Sequence, residues 1–513
     1  MSRLLKSTRA VGSMTMISRV FGLLRDVILA RAFGAGSGFD VFIVVFRIPN
    51  FLRRLFAEGG FSQAFVPILA EYKETRSKEE VQALLDQTVA TLGTALLIVS
   101  AIGVFGAPLL ITLFAPGFLE DQDKFHLAAE MLQITFPYIL FISLTAFAGA
   151  ILNTYGHFNV PAFTPVFLNL LMIMAAIWLA PYFAPERQVV ALAWGVFIAG
   201  IVQMAYQVPY LLRLGFMPRP RWNGDRAGIL RVFMLMIPTL FAVSVTQINL
   251  LVDTMMASYL PEGSISWLYY SDRLVEFPLG VFGVALATVI LPNLSAEHAK
   301  GAAEDFGKIL AWAVALVFLV SLPATLGLII LSKPLITTLF QYSEFSPNDM
   351  LMSSKSLSAY AVGLPGFILV KVLSSAFFSR QDTATPVKIG VVALISNIVL
   401  ILILIGPLAH AGLALATSLA AYINAGLLYL LLQRRGQYKL QKPLLILVLR
   451  IVIAVVVMSV TLMLLLPSID TWLHWNFYQR VIQLVLWVCL GMLVYAVTLW
   501  STGLRPADLG TPA

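Results

Sequence analysis

Apolar runs of twenty or more residues recur from one end of the chain to the other, separated by short polar stretches. Each run is long enough to cross a hydrocarbon core as a helix, which takes about 20 residues. Fourteen spans are expected, at 10–32, 38–72, 82–114, 127–153, 161–183, 189–213, 229–259, 264–297, 305–332, 349–378, 385–407, 410–433, 444–467 and 479–502. Several exceed the bilayer minimum, so tilted, bent or broken helices are expected. A transmembrane barrel would instead show alternating segments of about ten residues. The pattern therefore predicts an all-α polytopic membrane protein.

The polar stretches alternate in charge. Arg3, Lys6 and Arg9 precede the first span, and Lys73, Arg76 and Lys78 follow the second. Arg213, Arg219, Arg221 and Arg226 follow the sixth; Lys300 and Lys308 follow the eighth; Arg380 and Lys388 follow the tenth; Arg434, Arg435, Lys439 and Lys442 follow the twelfth. The intervening loops (GAGSG, APGFLEDQDK, YLPEGS, FQYSEFSPND and GPLAHA) are poor in basic residues. Basic loops stay in the cytoplasm, so both termini are expected there, in a multi-pass cytoplasmic (inner) membrane protein. The loops are too short for a soluble catalytic domain.

The spans also repeat. APLLITLFAPGF from Ala107 is echoed by SKPLITTLFQYSEF from Ser332, with Pro108 and Pro334 226 positions apart. FVPILAEYK at 65–73 is echoed by ILPNLSAEHAK at 290–300, with Pro67 and Pro292 225 apart. Spans one to six thus match spans seven to twelve, dividing the chain into a six-helix lobe at 1–220, a second at 221–436, and two extra helices at 437–513. Parallel halves around a midplane cavity are a common transporter plan.

Composition narrows the class. Of 513 residues, 59% are hydrophobic and 12% charged, against roughly 25% charged in soluble proteins. The formal charge of +8 sits mostly in the basic loops, which argues for membrane surfaces and against nucleic acid as a partner. The single cysteine, Cys489, excludes an intramolecular disulfide. The basic start leads into a long charged helix without a small-residue cleavage site, so no cleaved leader is expected. No Walker, G-x-S-x-G or H-E-x-x-H motif is present, so neither ATP hydrolysis nor catalysis is expected within this chain.

Charge inside spans is costly and usually faces a wet cavity or a partner. It concentrates in spans one and two, as Arg19, Arg25, Asp26, Arg31, Asp40, Arg47, Arg53, Arg54 and Glu58, and in span eight, as Asp272, Arg273 and Glu276. Span seven holds Asp253 and span ten Lys371. Asp40, Arg47, Arg54 and Glu58 step by seven, seven and four, which puts them on one helical stripe. Structural ion pairing is one reading of these groups. Arginines outnumber acids in spans one and two, however, and the arginine fork suits phosphate and carboxylate. An anionic, phosphorylated substrate in a cavity lined by the first two helices of each half is expected. Asp253, Asn397 and Thr417 bring oxygen atoms to mid-span and could hold a small hard cation such as Na⁺, or form separate interhelical hydrogen bonds.

MTMISRVFGLLRDVILARAFGAG, DVFIVVFRIPNFLRRLFAEGGFSQAFVPILAEYK, SWLYYSDRLVEFPLGVFGVALATVILPNLS and SRQDTATPVKI resemble the MurJ (MviN) family of bacterial lipid II flippases. The resemblance covers nearly the whole chain, and RRLFAEGGFSQAFVPIL is its most specific part. It implies a MOP-superfamily, MATE-like fold: two six-helix lobes plus two helices bordering a groove for the lipid tail. It implies transport of lipid II, undecaprenyl-pyrophosphate bearing a disaccharide-pentapeptide, to the outer leaflet, by a monomer that is not an enzyme. The family's cavity arginines match Arg19, Arg25, Arg53 and Arg273, and its acidic partners match Asp26, Asp40, Glu58 and Glu276. Arg47 keeps a basic charge. A family-level sodium site matches Asp253, Asn397 and Thr417; a further acid one turn beyond Asn397 would fall at Ile401. A flippase for another polyprenyl-linked saccharide would also want arginines. A MATE-type drug exporter would want cavity acids.

Overall fold

The computed structural model of the chain describes residues 3–54, 61–222, 225–436 and 442–505. These residues are helical almost throughout, and they form two compact units, Met1–Ile265 and Ser266–Ala513. The first carries α1 (Arg3–Phe33), α2 (Ser37–Arg53), α3 (Ser62–Thr75), α4 (Lys78–Phe105), α5 (Ala107–Phe114), α6 (Gln122–Thr135), α7 (Tyr138–Thr154), α8 (Asn159–Phe163), α9 (Pro165–Met174), α10 (Val190–Leu214) and α11 (Arg226–Ala257). At the boundary α12 (Ser264–Pro278) begins, followed by α13 (Val284–Ala299), α14 (Ala303–Ile330), α15 (Ser332–Leu339), α16 (Pro347–Val362), α17 (Leu364–Phe378), α18 (Ala384–Leu408), α19 (His410–Arg434), α20 (Lys442–Leu465), α21 (Ile469–His474) and α22 (Phe477–Ser501).

Among the described residues, eleven helical stretches are long and apolar enough to cross a membrane. They correspond to expected spans three to six and eight to fourteen. The other three expected spans are the charged α1, α2 with α3, and α11. Residues 55–60 lie outside the described residues, and with them Glu58.

Within the expected span 82–114, α4 stops at Phe105 and the chain resumes as the eight-residue α5. The expected span 305–332 matches α14, and the eight-residue α15 follows it. Pro108 and Pro334 sit in the first turn of the new helices, where a missing N–H costs nothing. Local chemistry also sets the starts of several longer helices. Ser77 with Glu80, Ser346 with Asp349, and Asn476 with Gln479 form reciprocal caps that open α4, α16 and α22. At the far end of α18, Gly412 lies so close to Leu404 that a Cβ would come within 2.3 Å of its carbonyl oxygen. Glycine is what allows α18 and α19 to fold back on each other so tightly.

In the first unit, α10 packs on α7 and α9, and α1 packs on α8 and α9. Phe61, Phe65 and Phe147 interlock at the centre of a core built from α3, α4 and α7. The sequence repeat assigns α11 to the second half, yet it packs on α3, α4 and α5. It is tied to this unit at both ends. At one end the Tyr72 hydroxyl donates to Asp225 at 2.5 Å, and Arg231 pairs with Glu71 at 2.8 Å. Toward the other, Arg47 donates to Thr254 at 2.8 Å, and the Gly117 amide donates to Ser258 at 3.0 Å. A Cβ on Gly117 would sit 2.2 Å from the Ser258 carbonyl oxygen, so glycine permits this approach.

In the second unit, α19 packs on α16, α17 and α18, and α14 carries the paired α20 and α22. Ile451, Ala454, Val455 and Leu499 form the seam of that pair against Phe318 and Leu322 of α14. The Tyr495 hydroxyl donates to the Leu319 carbonyl at 2.7 Å. In the loops, Arg435 donates to Asp382 at 2.8 Å and holds its carboxyl below the usual carboxylate range.

Candidate functional site

The charged residues of the first unit fall into two groups, committed and accessible. Arg25 and Asp26 are 5% and 2% exposed. Arg25 makes a fork on one carboxylate oxygen of Asp26, with Nε at 2.9 Å and Nη2 at 2.7 Å. Its Nη1 donates to Asn169 Oδ1 at 3.0 Å, and Asn169 Nδ2 donates to the Ser18 carbonyl at 3.2 Å. Asn169, on α9, thus holds both the guanidinium and the backbone of α1. It was not among the residues expected from sequence, because a lone asparagine in an apolar span carries no charge signal.

Asp40 is also committed. It is 2% exposed, its Oδ2 accepts the Gly263 amide at 2.8 Å, and Lys124 stands 3.8 Å away. Nearby, the Ser37 amide donates to Glu262 at 2.6 Å. Asp40 therefore anchors a turn, and the expected stripe of Asp40, Arg47, Arg54 and Glu58 divides. Arg47 is half-buried on Thr254, and Arg54 is exposed.

Arg19, Arg31 and Arg54 are exposed, and Arg53 is half-buried with Nε on Asn50 Oδ1 at 3.1 Å. These groups remain within reach of a ligand. In the second unit, α12 carries Asp272, Arg273 and Glu276. Arg273 pairs with Glu276 at 2.8 Å, and its guanidinium lies 4.9 Å over the ring of Tyr269. Both partners are well exposed, at 34% and 46% of their side chains. Such a pair holds with ~1 kcal/mol or less, so an anionic ligand can displace the glutamate. Beyond Arg273, Pro278 is followed by a wide π-helical turn at Leu279–Gly283. Lys371 of α17 packs its stem there: a Cβ on Gly283 would lie 3.5 Å from its Cδ. π-turns concentrate at functional positions.

The expected cation ligands are distributed over both units. Asp253, on α11, is 9% exposed, with Asn249 Nδ2 at 3.5 Å from Oδ2. Asn397 is buried on α18, and Thr417, on α19, donates to the Leu413 carbonyl at 3.1 Å. Ile401 is buried one turn beyond Asn397. Among the described residues no group of three histidine, cysteine or acidic side chains has metal-binding geometry. Arg480 was another unforeseen group: a 6%-exposed arginine whose guanidinium donates only to main-chain carbonyls, of Trp472, Leu473, Thr337 and Gln341.

An open pocket of about 410 Å³ lies in the first unit between α1, the end of α7, α8 and the start of α9. Thr15, Ser18, Asn153, Phe158, Pro161 and Pro165 are among its lining residues.

Comparison with known proteins resolves what kind of machine carries these groups. A solved structure described as a MATE family multidrug transporter of the MOP superfamily, inward-facing, superposes with a TM-score of 0.68 over 83% of this chain and 97% of its own, at 15% identity. That likeness shows the fold. A structure described as "Lipid II flippase MurJ, inward closed conformation" superposes with a TM-score of 0.80, at 29% identity, over 95% of this chain and 97% of its own. A Vibrio cholerae protein named "Probable lipid II flippase MurJ" is 47% identical over 514 residues, covering 99% of this chain and 98% of the relative. The family model for lipid II flippase MurJ matches residues 29–483, a stretch that takes in Arg53, Arg273 and the cation candidates. With arginines accessible in helices of a MATE-like membrane fold, and relatives of this identity along its whole length, the chain belongs to the lipid II flippase MurJ family.

Proposed function

We propose that this chain is a flippase for lipid II, moving it from the cytoplasmic to the outer leaflet of the bacterial inner membrane. The observation that carries the reading is the accessible arginine in helices that belong in the bilayer: Arg19, Arg53 and Arg54 in the first unit, Arg273 in the second. Charge at such depth is retained where it meets an anion or a partner, and a pyrophosphate matches the arginine fork. In this reading arginines from both halves bind the pyrophosphate, the halves alternate access to the two leaflets, and the protein works as a monomer. The chain crosses the membrane fourteen times, in two six-helix lobes with α20 and α22 appended, and both termini are cytoplasmic. The alternation of basic and neutral loops supports that orientation. The paired eight-residue helices α5 and α15 support the duplication.

The test combines growth with the accessibility of lipid II at the outer leaflet in a flippase-depleted strain. Arg53→Ala and Arg273→Ala are expected to fail in both while remaining inserted and expressed. Arg434→Ala, at the exposed C-terminal end of α19, is expected to behave as wild type. Arg→Lys at either site keeps the charge but loses the fork, so partial function is expected where field strength dominates and none where bidentate contact does. Normal export by the Arg53→Ala, Arg273→Ala double variant would defeat the reading.

Sodium binding by Asp253, Asn397 and Thr417 is a separable part of it, supported by three oxygen-bearing side chains at mid-span. Sodium is then expected to raise the unfolding temperature of the purified protein, and Asp253→Ala to remove that rise. A wild-type protein indifferent to sodium would return these side chains to helix–helix hydrogen bonding.

A further inference from the structure

The pocket between α1, α7, α8 and α9 is built differently from the arginine site. Its volume of about 410 Å³ is that of a small-ligand pocket, which spans roughly 300–1,000 Å³. Among the described residues its lining carries no ionisable side chain. An arginine-free wall is a poor match for a pyrophosphate or for peptide carboxylates. Nor does it suit a hydrocarbon chain alone: two hydroxyls, on Thr15 and Ser18, and one carboxamide, on Asn153, line it. Against these stands Phe158, an aromatic ring 38% exposed, with Pro161 and Pro165 completing an apolar side. Neutral donors and acceptors in one pocket with an exposed aromatic ring are the chemistry that recognises a sugar: hydroxyls meet the polar groups, and the C–H face of the ring lies on the aromatic.

The pocket is also linked to the arginine cluster. Ser18 helps line it, the Ser18 carbonyl accepts Asn169 Nδ2, and Asn169 Oδ1 accepts Arg25 Nη1. Ser18 is followed on α1 by Arg19, one of the accessible arginines assigned to the diphosphate.

We infer that this pocket is the subsite for the neutral carbohydrate part of the substrate, separate from the arginines that take its diphosphate. The inference rests on the flippase reading above and names which part of the ligand binds where. The experiment compares two probes on the purified full-length protein: lipid II, and undecaprenyl pyrophosphate, which lacks the saccharide and peptide. Two kinds of variant are used: Phe158→Ala with Asn153→Leu, which strips the wall, and Ala162→Trp, which fills the space. Both are expected to weaken lipid II binding about tenfold and to leave undecaprenyl pyrophosphate binding unchanged. Arg53→Ala is expected to weaken both probes. Lipid II binding unaffected by the pocket variants, or equal weakening of both probes, would overturn the subsite. So would a wild-type protein that binds lipid II no more tightly than the bare carrier, and that result leaves the flippase reading standing. A wild-type protein that binds neither probe overturns both.

Discussion

Arg25→Ala will abolish transport and will also destabilise the protein, as will Asp26→Ala. Both side chains are nearly fully buried, and each leaves the other's charge uncompensated when removed. Breaking a buried pair from one side costs about 3–5 kcal/mol. Lost activity in either single variant therefore says little about mechanism. The informative variant is Arg25→Met with Asp26→Leu, because apolar residues of similar volume often replace a buried pair at little cost. It is expected to unfold near the wild-type temperature yet to fail complementation of a flippase-depleted strain. Asn169→Leu removes one hydrogen bond to the guanidinium and is expected to lie between, losing about 1–3 kcal/mol. Should the Met/Leu variant support normal growth, the pair's role would be structural alone.

The second large effect is expected at Arg480. This arginine sits in the first turn of α22, where its charge opposes the helix dipole. Its partners are carbonyls at or just beyond the C-terminal ends of α15 and α21, where the dipole favours a cation. The guanidinium also lies 5.2 Å over the Tyr342 ring. One planar group thus fixes α15, α21 and α22 together. Arg480→Met leaves four carbonyls without that donor, and each buried acceptor left unsatisfied costs about 1–3 kcal/mol. A marked fall in unfolding temperature is expected. Arg480→Lys should recover only part of it, since a compact ammonium cannot span carbonyls at two helix ends. An unfolding midpoint unchanged in Arg480→Met would sink this account.

These two sites show where sequence reading reaches and where it stops. The long helices are legible because a bilayer demands one simple property, a run of apolar residues, and α18, α19, α20 and α22 follow it closely. The breaks before α5 and α15 are less legible. The same Pro108 and Pro334 that reveal the repeat also mark a new helix start, but the break before α5 lies within an apolar run, and only Ser332 and Lys333 interrupt the one before α15. Arg25 with Asp26 is readable because the partners are adjacent. Asn169 and Arg480 are not, because their partners lie 144 and as many as 143 residues away, and include backbone carbonyls that any sequence carries. The Asp40 contact is hidden for the same reason: its partner is a glycine amide in a turn, which no charge pattern announces.

That Asp40 contact has a consequence for biosynthesis. The carboxylate and the Gly263 amide are separated by 223 residues, and Ser37 and Glu262 by 225. At roughly 5–20 residues per second, a ribosome takes about 10–45 s to make the intervening chain. This end of the first unit therefore cannot close until α11 has been made and inserted, long after α2 has entered the bilayer. During that interval Asp40 lacks the Gly263 amide, and the nascent first unit stays open at one end. A chain released before α11 is complete would lack its last tie, which makes the first 225 residues a poor candidate for folding as a separate domain.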